Sequence, residues 1–447
     1  MHQFKEQIER ISTKLKAAKQ KDQQLKVFGA SYHKYIIHAP LEEAELSGFE
    51  KEYNISLPGS FRAFLLHVGH GGVSQAGSAA GPYYGIYPLK KGANDLASNP
   101  EKYLSEPVKI YPGISDDEWN NLIKETERED LSDEAYDAAI QNIYTGILPI
   151  GSQGCAYIHG LVLNGEHAGK VVNIDIDRQK PKFTFENNFL DWYERWLDEI
   201  ISGDLLADGV SWFGYTIGGS VTFLLEKYHA ASDKTTRLNC ISGILNKQSI
   251  EPAVAAILER EYRGAEEEYK LHWLQALTKF SYPLAKPYLV AYSDIDLLSV
   301  VQFIWWYAKD KSMEWREIIE KNIGSIRNEE TFRFCTYLLG EMKGDHAHLI
   351  IPMTANSNED IRKTAFYTLG KLKKKTAYLD VFINGLNDPS NDVVHAALQA
   401  LSGVKDKRLL PEYKKIAERF PTEQDYILSN LGHRLAEMGL TIEKLKK

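Results

Sequence analysis

Six stretches in the second half of the chain repeat one another: SDKTTRLNCISGIL, EEEYKLHWLQALTKF, IDLLSVVQFIWWYAKD, EETFRFCTYLLGEMKGD, NEDIRKTAFYTLGKLKKK and SNDVVHAALQALSGVKDK. Aligning one core position gives Cys240, Trp273, Phe303, Cys335, Ala365 and Ala397; the next gives Ile244, Leu277, Tyr307, Leu339, Leu369 and Leu401. Both series step by 30 to 33 residues. A unit of that length is a helix pair that cannot bury its own apolar face, so the pairs must stack into one continuous core. This restricts residues 226–447 to an all-α solenoid, with a cap from Thr422 onward that includes Gly439.

The last two copies, Asp360-Ile361-Arg362 with Ala365 and Leu369-Gly370, and Asp392-Val393-Val394 with Ala397 and Leu401, resemble HEAT repeats. At 447 residues the chain exceeds what one core serves, so a second domain is expected in front. WFGYTIGGS, from Trp212 to Ser220, reads as the joint, within a linker over 203–225.

That front part begins with an amphipathic helix in residues 1–27, with Phe4, Ile8, Ile11 and Leu15 at helical spacing. VFGASYHKYIIHAP then predicts a short strand and a turn. Leu41, Ala44, Glu45 and Phe49 start a helix with Glu42 and Glu43 in its first turn, where the dipole favours them. Leu57-Pro58 breaks it, Ser60 is placed to cap the next helix, and Phe61, Phe64, Leu65 and Val68 share one face. Gly69, Gly71 and Gly72 stop that helix and open onto an aromatic strand, GPYYGIYPL. These glycines end a helix and no Lys-Ser/Thr follows them, so they are not a phosphate loop.

Residues 100–145 form an acidic helical insertion. From Gly146 the chain turns β-rich, with an Asn164-Gly165 hairpin signal. A closing helix then buries Phe189, Trp192, Tyr193, Trp196, Leu197 and Ile200. The order LEEAELSGFEKEYNISLPGSFRAFLLHVGHGG, GPYYG, ILPIGSQGCAY, VLNGEHAGKVVNID and FLDWYERWLDEI resembles the SUKH superfamily over residues 28–202. That superfamily holds fungal cell-wall-synthesis regulators and bacterial toxin-immunity proteins. An insert at residues 73–80 departs from its pattern. The expected fold is therefore an α+β SUKH-like domain, a mainly antiparallel sheet with flanking helices, fused to an all-α HEAT-like solenoid.

No catalytic fingerprint is present, and His346 and His348 have no acidic partner at ligand spacing, so neither metal nor cofactor is expected. Three scattered cysteines fit a reducing cytoplasm, and Cys155 is expected as a buried, inert thiol in a strand. The opening residues have no apolar run and no cleavage site of a secretory signal, and no apolar run is long enough to span a membrane.

Charge is divided. From Asp360 onward 16 Lys and Arg face 11 Asp and Glu, a net +5, which leaves 37 against 50, or −13, for the rest. The overall net of −8 speaks against nucleic acid or anionic membrane as partner.

The resemblance implies a non-enzymatic intracellular immunity protein that binds and neutralises a protein toxin. Tyr83, Tyr84, Trp119, Asp116, Asp117 and Glu118 are the candidate contacts. A general scaffold using the solenoid face is the alternative. A third reading, a HEAT-type DNA glycosylase, would place Trp306 and Asp310 on one helix face, against the expectation that Trp305, Trp306 and Tyr307 are repeat core. Residues 226–359 supply no basic groove for it.

Overall fold

The computed structural model describes residues 2–206, 213–420 and 425–446. Trp212 and Thr422 lie outside the described residues. The chain divides into two compact units, Met1–Val254 and Ala255–Lys447.

The first unit carries α1 (Lys5–Lys21), α2 (Ala30–His33), α3 (Glu43–Glu52), α4 (Gly59–His67) and α5 (Leu89–Gly92). The insertion supplies α6 (Asp116–Ile123) and α7 (Asp133–Ile143). A four-stranded antiparallel sheet follows, β1 (Ile147–Gly154), β2 (Tyr157–Val162), β3 (Val171–Asp175) and β4 (Lys182–Phe183), in simple meander order. Then come α8 (Phe189–Ser202), α9 (Val221–Ala230) and α10 (Lys234–Leu245).

Helix α8 organises this unit. The Asn188 side chain caps it by accepting from the Leu190 and Asp191 N–H groups, and Gly203 ends it in the left-handed region. Its buried side is the one the apolar spacing selects: Phe189, Trp192, Tyr193, Trp196, Leu197 and Ile200. Phe61 and Phe64 of α4 meet Phe189 edge-on, and Trp192 meets His159 of β2 at 5.0 Å between ring centroids. The amphipathic N-terminal helix finds its partner here. Ile11 and Ala18 are buried, while Gln7, Arg10 and Lys14 all donate to Glu194 at 2.9–3.1 Å.

Four local expectations are corrected. VFGASYH forms the short helix α2, not a strand. The buried Asp22 carboxylate accepts from the N–H groups of Lys26 and Val27 and from the Tyr35 hydroxyl, folding the segment back on itself. Helix α3 begins at Glu43, after Leu41, and its buried residues are Leu46 and Phe49. Ser60 is a buried residue inside α4, which begins after Pro58, and gives no side-chain cap. GPYYGIYPL is not a strand. Left-handed turns at Tyr83 and Gly85 bend it, and it keeps only single bonds to β1, from Tyr84 N to Ser152 O and from Tyr87 N to Ile150 O.

The described part of the stretch expected as a joint, from Phe213 onward, lies against α8. Phe213 meets Trp192 at 5.8 Å, and the Arg195 guanidinium sits 5.1 Å over the Phe213 ring. Arg195 is itself held by Glu186 and Glu199. Lys247, just past α10, pairs with Asp204 at 2.8 Å. By contact α9 and α10, which the repeat pattern groups with the solenoid, belong to the first unit.

The second unit is helical: α11 (Pro252–Gly264), whose first turn belongs to the first unit, α12 (Glu267–Phe280), α13 (Tyr282–Tyr292), α14 (Leu297–Tyr307), α15 (Arg316–Asn322), α16 (Glu329–Glu341) and α17 (Ala347–Ile350). It continues with α18 (Glu359–Gly370), α19 (Leu379–Leu386), α20 (Asn391–Ala400), α21 (Leu410–Arg419), α22 (Asp425–Glu437) and α23 (Ile442–Lys446). Alternate helices α12, α14, α16, α18, α20 and α22 form a ladder, each touching the next. Trp273, Phe303, Cys335, Ala365 and Ala397 are all buried in it. Helices α18 and α20 pack closely, since a Cβ at Gly370 would come within 2.7 Å of the Ala400 Cα.

The aromatic run on α14 is not core as expected. Trp306 is 48% exposed, and Trp305 and Tyr307 are half-buried. Asp310 lies beyond the end of α14 and pairs with Lys311, so it does not share a helical face with Trp306. Among the described residues, no helix is long and apolar enough to cross a membrane.

Candidate functional site

The β1–β2 and β3–β4 turns lie at the same end of the sheet, and side chains from three other segments gather there. Gly29, which precedes α2, sits so close to the Tyr83 carbonyl that a Cβ would come within 1.7 Å of its oxygen. Its positive φ of 84° adds a second reason for glycine. This contact presses Phe28 and Tyr32 onto the Tyr83-Tyr84 bend. Tyr84 receives Phe28 and Tyr32 edge-on, at 5.5 and 5.1 Å between centroids.

A polar network beneath fixes the bend. His159 Nδ1 lies 3.1 Å from both Asn173 Oδ1 and Gln153 Nε2, and Gln153 Nε2 donates to Asn173 Oδ1 at 2.8 Å. The Tyr215 hydroxyl donates to Gln153 Oε1, and Asn173 donates to the Gly214 carbonyl. Burial pushes His159 down to about 3, so the imidazole in this network is neutral. Tyr83 stands against the His159 ring and donates its hydroxyl to the Phe213 carbonyl.

Above this, the surface is apolar and aromatic. Tyr32 is 48% exposed, Tyr157 38% and Ile176 43%, with Tyr84 half-buried against the β1–β2 turn. The Tyr84 ring occupies the space a side chain at Gly154 would need. Ile176 N donates to the Ala156 carbonyl at 2.8 Å, joining the two turns.

The acidic insertion borders this surface. Trp119 Nε1 donates to the Arg178 carbonyl at 3.1 Å, and Arg178 donates to the Tyr136 hydroxyl of α7. Lys180 pairs with Asp116 at 2.5 Å. An aromatic floor with an acidic rim is the pattern of a protein-binding face, where large rigid rings bury area and rim charges steer approach.

The structure divides the six residues singled out from the sequence. Tyr84, Asp116 and Asp117 stand on this face or its border. Tyr83 and Trp119 are corrected, since both are buried with their polar atoms satisfied inside the fold. Glu118 is exposed but turned inward on its own loop. Hydrogen bonds from Ser115 and Tyr111 pull its carboxyl down to about 2, and it closes the capping box of α6.

Cys155 is also corrected. It is exposed at the β1–β2 turn with φ of 49°, outside either strand. Tyr32, Tyr157 and Ile176 were missed. The Gly-Cys-Ala-Tyr run between two alternating apolar segments marks a turn that would present Tyr157. No sequence signal brings Tyr32 to it, because that depends on the contact between Gly29 and Tyr83.

Residues 40–195 match the family model described as SMI1 / KNR4 family (SUKH-1). These residues are a SUKH-1 domain. The SUKH-1 match contains the sheet, the insertion and every rim residue above except Tyr32. No curated protein and no solved structure matches the chain. Among the described residues, no group of His, Cys, Asp and Glu is placed to hold a metal ion.

Proposed function

We propose that this chain is a non-enzymatic binding protein of the cytoplasm whose SUKH-1 domain seizes a basic protein domain, in the manner of an immunity protein neutralising its toxin. The surface formed by exposed Tyr32, Tyr157 and Ile176 with half-buried Tyr84, bordered by Asp116 and Asp117, carries this reading. A binder needs complementary surface and no reacting group, and a partner with a positive face gains on-rate from the acidic border. The family match supports a protein partner.

The test is growth rescue by co-expression with a toxin domain encoded beside this chain, paired with a direct affinity measurement. Tyr84→Ala with Tyr157→Ala is expected to weaken binding at least about tenfold and abolish rescue. Asp116→Lys with Asp117→Lys is expected to slow association and flatten its salt dependence. Undiminished rescue by both variants would refute the reading.

A further inference from the structure

A cleft of about 340 Å³ opens between α14, α16, α17 and α18 of the second unit. That volume is in the range of small-molecule sites. One wall is aromatic: Trp305 and Tyr337 stand 5.1 Å apart between centroids. The Lys371 ammonium lies 6.0 Å over the Tyr337 ring and Lys309 lies 5.7 Å over Trp305. Both ammonium groups thus rest on ring faces. Of the two, Lys371 lines the cleft, and Glu341 lines it too, at the end of α16, so the mouth offers charges of both signs. The α16 carbonyls that lack helical partners add negative potential beside Glu341.

The inner wall holds His346, which is only 7% exposed and has no hydrogen-bond partner at either ring nitrogen. A buried polar group without a partner is costly, so a ligand that supplied one here would gain by it. Burial, with Arg316 nearby, lowers its pKa, so the imidazole is neutral with one donor and one acceptor. Thr336 and Thr368 also line the cleft, but their hydroxyls are held by carbonyls of their own helices.

We propose that this cleft binds a free aromatic α-amino acid. Its ring lies against Trp305 and Tyr337, its carboxylate at Lys371, its ammonium at Glu341, and its ring N–H or O–H at His346. A ligand of one charge sign would meet a like charge at the mouth, whereas a zwitterion satisfies both. A purely apolar ring would leave His346 unpaired.

Calorimetric titration of the full chain with L-tryptophan tests this, using analogues that each remove one feature. L-Tryptophan is expected to bind with Kd of about 1 mM or tighter. Tryptamine, lacking the carboxylate, and N-acetyl-L-tryptophan, lacking the ammonium, are each expected to bind at least about tenfold more weakly. 1-Methyl-L-tryptophan, which cannot donate to His346, should lose a smaller factor of about three to five. Lys371 and Glu341 are exposed, so Lys371→Ala and Glu341→Gln keep the fold, and each should reproduce the loss seen with the matching analogue. The proposal is overturned by absence of L-tryptophan binding up to about 10 mM, by tryptamine binding as well as tryptophan, or by wild-type affinity in Lys371→Ala.

Discussion

The two units hold themselves together over different distances along the chain. In the first, Tyr193 donates its hydroxyl to the Ala80 carbonyl 113 residues away, and Arg10 reaches Glu194 across 184. In the second, the comparable bonds span one repeat: Gln275 to Tyr307 across 32, Trp315 to Tyr282 across 33, and Thr364 to Glu329 across 35. A fold closed by long-range bonds is cooperative and passes damage throughout, whereas a ladder of neighbours confines it. The SUKH-1 rim depends on the first kind of order, because its floor is assembled from four separated segments.

The sharpest way to break this contrast is a paired deletion in the two cores. Trp192→Ala should cost about 3–5 kcal/mol and raise hydrogen exchange across α1, β1–β3 and the Tyr83-Tyr84 bend together. Leu369→Ala should cost about 3 kcal/mol, with the rise in exchange limited to α16, α18 and α20. Equal spread from both would erase the distinction.

Acid gives a second, smaller test, on the first unit alone. Burial lowers His33 to about 4, with Asp22 opposing, and it lowers His159 to about 3. Both are neutral when folded and free to protonate when unfolded. Their contribution is therefore complete above the unfolded value of 6.5 and lost as pH falls through the folded values. For His33 alone the loss between pH 6.5 and 4 is about 3 kcal/mol, read by denaturant titration at each pH. His33→Gln should flatten that slope.

The smallest effect is expected at the seam between α1 and α8. Burial raises Glu194, but hydrogen bonds from Arg10, Lys14 and Gln7 outweigh it and hold the carboxyl below its usual value. Glu194→Gln should cost about 1–2 kcal/mol and free α1 to exchange without exposing the sheet. The wild-type seam should keep its contribution above pH 4.5 and lose it below.

What could be read from the sequence follows the same divide. The ladder was legible because its period is local, and Trp273, Cys335, Ala365 and Ala397 are buried at the aligned positions. So was α8, whose apolar stripe needs only its own spacing. Two signals misled. β-Branched and aromatic residues in VFGASYH suggested a strand, but Asp22 and Gly29 impose a helical turn. On α14, apolar character suggested core where Trp306 is half in solvent. At the rim, Tyr83 and Tyr84 are neighbours with opposite fates, and what separates them is a left-handed φ of 55° at Tyr83.

The turn that carries Cys155 has a practical consequence. Cys240 and Cys335 are buried, so the chain's three cysteines include one accessible thiol, at the edge of the aromatic floor. An environment-sensitive maleimide dye attached there would brighten or shift as a partner settles over the tyrosines. The unmodified protein thus supplies its own anchoring point for watching association in real time.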